Sequence, residues 1–164
     1  MTDQAVNPEG QAQQQFALQK VYIKDLSFES PMGAGAFNSM GKPQINQEFN
    51  NKNQRVGEDL YEVVLSFTLT VKVEEKVVYL AEIQQAGIFV IKGLDNNQLT
   101  QILNTLCLHS IFPYARETID TVVTKGGFPP LMLPHINFDA LYAQAVAQAK
   151  TKEQAAPGNE PTIN

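Results

Sequence analysis

The chain has 164 residues, a net charge of −5, 43% hydrophobic residues and 18% charged ones. That length and apolar share predict a single domain with a core of its own. An acidic chain excludes a nucleic-acid backbone as its main ligand, because counterion release needs clustered Lys and Arg. The low charged share leaves surface for partners to cover. The lone cysteine, Cys107, excludes an intrachain disulfide framework. Apolar runs fall short of the roughly 20 residues of a membrane span.

Residues 1–15 are polar and Gln-rich, with Pro8 and Gly10, and predict a disordered segment without a secretory leader. The protein is therefore expected to be cytoplasmic, with no direct membrane insertion. Residues 16–30 alternate on a period of two. Leu26 and Phe28 face one way; Asp25, Ser27 and Glu29 face the other. Residues 31–55, with Gly33, Gly35, Gly41 and Pro43, predict a long irregular connection. Residues 60–73 are the clearest strand: Tyr61, Val63, Leu65, Phe67, Leu69 and Val71 share one face, Glu62, Ser66 and Thr68 the other. Glu74 and Glu75 predict a tight turn into a second long strand over residues 77–90. Gly87 there marks a bulge or the start of a separate strand.

Asp95 or Asn96 is the expected cap of a helix whose stripe is Leu99, Ile102, Leu103, Leu106 and Cys107. Phe112, Ala115, Ile119, Val122 and Val123 continue the stripe, with a kink or break expected at Pro113 and a stop at Gly126 and Gly127. Asn137 caps a last helix with Phe138, Leu141, Tyr142, Ala145 and Val146 on one side. Residues 16–149 form the domain, and 150–164 a flexible tail. Strands first and helices last predict an α+β fold, with the C-terminal helices on one face of an antiparallel sheet.

Groups that would carry chemistry are sparse. Cys107 and His109 are two residues apart on a helix, so they point to different faces, and a core cysteine beside a surface histidine is the expected reading. Metal sites need more ligands than two histidines and one cysteine supply here. Gly33-Ala34-Gly35 lacks the third glycine of a dinucleotide fingerprint. Arg116 and Glu117 are expected as a surface or interface ion pair. No catalytic residue, metal or cofactor is assigned.

Residues 125–142 are the most informative stretch. A connection between helices normally runs wet over the surface, yet this one carries Phe128, Leu131, Met132, Leu133 and Ile136, stiffened by Pro129, Pro130 and Pro134. Something apolar must cover it. With Tyr114, Phe138 and Tyr142 nearby, it predicts a groove for an extended polypeptide, lined by Phe128, Met132, Leu133 and Phe138. A small-molecule enzyme built on Tyr114, His135 and Tyr142 is the weaker reading.

Several segments together resemble one family. Phe28-Glu29-Ser30-Pro31, Tyr61-Glu62-Val63-Val64-Leu65, Gln84-Gln85-Ala86-Gly87-Ile88-Phe89, Phe112-Pro113-Tyr114-Ala115-Arg116-Glu117 and Asn137-Phe138-Asp139-Ala140-Leu141 look like SecB, in that family's order and spacing. The resemblance implies a four-stranded antiparallel sheet with helices on one face, assembled as a homotetramer, a dimer of dimers. It also implies an ATP-independent chaperone that holds unfolded preproteins for export and delivers them to the ATPase SecA. A relative dedicated to one client, such as an antitoxin, is the alternative. Tyr114 and Tyr142 match groove aromatics of the family. Asp25, Glu29, Leu80 and Glu82 match its SecA-docking face. A tryptophan frequent in the family's first connection is missing, and Met40 or Phe37 is the expected substitute.

Overall fold

A computed structural model describes residues 13–38 and 41–154. The segment expected to be disordered lies almost wholly outside them, as do Met40 and the end of the expected tail. Four strands, β1 (Gln15–Glu29), β2 (Gln44–Gly57), β3 (Leu60–Val73) and β4 (Lys76–Lys92), form one antiparallel sheet in the order β1-β4-β3-β2. Three helices follow: α1 (Asn96–Asn104), α2 (Leu106–Lys125) and α3 (Phe138–Gln154). The α+β class and the one-sided helix layer agree with the sequence reading.

The central strands show why the alternation was legible. Val63, Leu65, Phe67, Leu69 and Val71 of β3 lie at 0–4% exposure beneath the helices, with Ala81, Ile83 and Phe89 of β4 beside them. Ile111, Ile119 and Val123 of α2 close the core from above. Glu74 and Glu75 make the expected turn, at φ of 49° and 63°. Both sit in the left-handed region that a two-residue hairpin of right-twisted strands demands.

Three expectations are corrected. The connection 31–55 is not irregular throughout: residues Gly33–Asn38 form a short 3-10 helix, and β2 takes the rest of the segment, paired with β3 from Gln44↔Lys72 to Gly57↔Leu60. Its Asn/Gln-rich sequence has little strand preference, so the open backbone edge of β3 makes it a strand. Gly87 is no bulge; it pairs in register with Val63 and Val21 inside β4. Its missing side chain makes room for α2, since a Cβ there would lie 2.8 Å from Ile111 Cγ2. The helix break falls at Thr105, not Pro113. Thr105 has φ −128° and ψ −81°, and its hydroxyl donates to the Gln101 carbonyl at 2.8 Å, a back-bond that competes with the helix ladder. Pro113 is carried inside α2.

Helix ends follow their caps. Asp95 accepts from Gln98 N–H at 2.9 Å, and Gln98 Oε1 accepts from Asp95 N–H at 3.2 Å, a reciprocal capping box. Past the end of α2, Gly127 adopts φ +88°. Phe128 N–H then donates to Val123 O at 3.1 Å and Gly127 N–H to Thr124 O at 3.0 Å, which seals the open carbonyls. Asn137 Oδ1 accepts from Ala140 N–H at 3.0 Å and starts α3. That helix runs on to Gln154, into residues expected to belong to the tail, although Leu141 and Ala145 of its stripe are exposed.

Candidate functional site

The Gly127 turn throws residues 128–131 back over the sheet. There Phe128 meets Tyr79 of β4 at 4.6 Å between ring centroids and Phe37 at 5.2 Å, with Phe28 of β1 at 6.4 Å. Gly126 and Gly127 permit this packing: a Cβ on Gly126 would lie 2.2 Å from the Phe28 ring, and one on Gly127 would lie 2.9 Å from Phe37. Phe37 is 60% exposed and thus supplies an aromatic face to solvent. Of the two residues named as substitutes for the missing tryptophan, Phe37 stacks on Phe128 but does not line the adjacent groove, and Met40 lies outside the described residues.

Beside these rings runs an open apolar groove of about 310 Å³. Ala36, Pro43 and Ile45 border one side, Val71, Val78 and Tyr79 form its floor, and Phe128 to Leu131 make the other wall. Such a volume is at the small end for ligand pockets, and it suits a short apolar stretch rather than a folded surface.

The predicted groove residues separate. Phe128 lines this groove; Tyr114, Met132, Leu133, Phe138 and Tyr142 do not. Tyr114 and Met132 are 49% and 79% exposed on α2 and the loop. Tyr142 lies in a second groove between α1 and α3, with Gln101, Thr105 and Val146. Leu133 and Phe138 are core residues at 4% and 2% exposure, and Phe138 packs against Phe49, His109 and Phe112 away from this groove. Sequence reasoning missed Tyr79, Val71, Val78 and Ile45. Val71 had been read only as part of one strand face, and Ile45 fell in the connection expected to be irregular; Val71, Val78 and Tyr79 are 4–5% exposed and border the groove because the chain after Gly127 returns beside them.

Asp25, Glu29, Leu80 and Glu82 fall together on the helix-free face, where Glu29 pairs with Leu80, Ser27 with Glu82 and Asp25 with Gln84. The three carboxylates are exposed and Leu80 is half-buried. A bulge between Ile23 and Asp25 sets this phase. Within the chain Arg116 and Glu117 do not pair with each other: Arg116 donates to Leu133 O at 3.5 Å, and Glu117 accepts from Thr121 Oγ1 at 2.7 Å. Cys107 is fully buried, and burial pushes its thiol up to about 12, which makes it inert. His109 bonds Asp139 at 2.9 Å and stacks on His135 at 5.6 Å.

On the same helix-free face, Glu62 is 6% exposed. Its carboxylate accepts from the Tyr22 hydroxyl, from Lys24 Nζ at 3.1 and 3.2 Å, and from Gln54 Nε2 at 2.7 Å. This clasp ties β1 and β2 to β3 across the sheet. The Tyr22 hydrogen bond, more than Lys24 and Gln54, holds the Glu62 carboxyl below its ordinary range against the opposing effect of burial. The same bond raises Tyr22 to about 12. Because the folded state lowers Glu62, its stabilisation is present above the unfolded value and is lost as pH falls through the roughly 3–5 carboxylate range. Because it raises Tyr22, that contribution disappears as pH climbs through about 12. Glu62→Leu is expected to cost about 1–3 kcal/mol by denaturant unfolding at neutral pH, since three donors lose their acceptor. It should also flatten the acid limb of the stability profile; an unaltered profile would remove the clasp from the account.

An apolar groove walled by a stiff, proline-held loop is the kind of site a polypeptide-binding protein offers. Comparison with known proteins identifies which. The family model described as "Preprotein translocase subunit SecB" matches residues 9–149. The chain is 52% identical over 155 residues to the protein-export protein SecB of Marinobacter nauticus, covering 94% of this chain and 92% of that one. It is 49% identical over 150 residues to that of Cellvibrio japonicus, covering 92% and 90%. The Mycobacterium tuberculosis SecB-like chaperone, solved in complex with a peptide from an antitoxin, shares the fold at a TM-score of 0.60 and 18% identity, covering 74% of this chain and 90% of that one. The chain belongs to the SecB family and is a protein-export chaperone.

Proposed function

We propose that this chaperone holds unfolded preproteins in the cytoplasm without nucleotide and passes them to SecA. The groove beside Phe128 to Leu131 is the observation that carries this reading. Apolar contact along an open trough discriminates little between sequences, which suits a protein with many clients. A folded client offers no extended apolar segment, so slow folders are selected. In this reading, Tyr114, Met132 and Tyr142 extend the client track as partly exposed apolar points, while Leu133 and Phe138 belong to the core. Among the described residues no helix is long and apolar enough to cross a membrane.

Asp25, Glu29, Leu80 and Glu82 are the proposed SecA-docking face, where clustered carboxylates around an apolar residue would steer a basic surface. Assembly as a dimer of dimers is supported by Phe16, Ile23 and Leu26. These edge-strand residues lie on the helix side of β1 yet remain 37%, 46% and 38% exposed, beyond the cover of the chain's own helices. The antitoxin-dedicated alternative is the weaker reading, because the relatives at about half identity are export proteins.

The protein should retard refolding of a reduced secretory precursor, without nucleotide, once one assembled oligomer is present per precursor. Unchanged refolding would end the holding mechanism. Glu82→Lys is expected to weaken SecA binding about 10-fold while client affinity stays the same; an unaltered SecA affinity removes Glu82 from the docking face.

A further inference from the structure

Residues 128–131 stand as a wall of the groove although no helix or strand contains them. An apolar segment of this kind would lower its free energy by folding down over the groove. Two anchors oppose that. At its start, the Gly127 turn holds Phe128 N–H on Val123 O. At its end, Asp120 reaches over from α2: its Oδ1 accepts from Leu131 N–H at 3.1 Å and from Met132 N–H at 3.3 Å. Met132 has φ +50°, a conformation an L residue holds only where its surroundings impose it. That turn aims two successive N–H groups at one oxygen. Arg116, one turn earlier on the same helix face, donates to Leu133 O. Two side chains of α2 therefore grasp three successive residues of the loop.

We infer that Asp120 is the positioning residue of the client groove: its carboxylate latches the 128–131 wall upright, so that the groove is open before a client arrives. The inference rests on the groove reading above. Apparent affinity scales with the fraction of molecules in the competent state, so loss of the latch weakens binding without removing a contact. Sequence alone could not single out Asp120, since an acidic residue at a helix surface reads as solvated.

The test uses the full chain and a reduced, unfolded secretory precursor. Asp120→Ala is expected to weaken binding about 3- to 10-fold. Asp120→Lys, which offers only donors, should do the same. Asp120→Asn keeps an accepting oxygen and should recover to within about twofold. The ring-current-shifted NMR signals of Tyr79 and Phe128 should move in the Ala and Lys variants and return in the Asn variant, with oligomer mass unchanged. Wild-type affinity in Asp120→Ala or Asp120→Lys overturns the latch, as does an Asn variant as weak as Ala. Phe128→Ala separates the two readings. If it binds as wild type, the groove is wrong; if it weakens binding while the Asp120 variants do not, the latch alone is wrong.

Discussion

Phe128→Ala is expected to weaken the grip on an unfolded precursor by about 10- to 30-fold, the loss typical of removing a central aromatic anchor. Phe128 is both a wall of the groove and the ring on which Phe37 and Tyr79 pack. Its removal deletes apolar contact area and leaves those two rings without their shared neighbour. Labelled-precursor anisotropy reads the affinity. SecA binding serves as the control, because the proposed docking residues Asp25 and Glu82 lie on the opposite face of the sheet. A variant that loses SecA affinity along with client affinity would point to general collapse and defeat the argument. Phe37→Ala should reproduce a smaller part of the client loss, since that ring is already 60% exposed.

The largest stability effect is expected from Phe138→Ala, about 3–5 kcal/mol. Phe138 is the first residue of α3, and its ring sits against Phe49 at 6.1 Å, His109 at 5.1 Å and Phe112 at 5.8 Å. It thereby ties α3 to α2 and to the edge strand β2. Most of α3 beyond Tyr142 is exposed, so little else fastens that helix to the body of the protein. Loss of the ring should lower the unfolding midpoint and free α3 first, seen as hydrogen exchange in residues 138–154 that outpaces exchange in the core strands. A midpoint shifted by less than about 1 kcal/mol would mean that the helix is held by something other than this ring.

Much of this fold is legible in the sequence. Alternation in residues 60–73 and 77–90 is strong because one face packs under helices and the other meets water, so burial writes its period directly into the sequence. The caps at Asp95 and Asn137 and the stop at Gly126 and Gly127 were legible for a similar reason: each satisfies backbone groups of its own neighbourhood. The apolar, proline-rich stretch after α2 was legible as unusual, because such composition has no local reason to exist on a surface, and Phe128 to Leu131 do border an apolar groove.

What the tertiary structure decided was everything that depends on a distant partner. Strand β2 exists because β3 offers it a backbone edge, and no local preference reports that. Gly87 is explained by α2 passing above it, not by strand geometry. Leu133 and Phe138 carried the same apolar signature as Phe128, yet they went into the core, because hydrophobicity measures the gain from burial and not where burial occurs. Tyr79 borders the groove only because the chain after Gly127 returns to lay Phe128 against its ring, a contact between residues far apart in the chain.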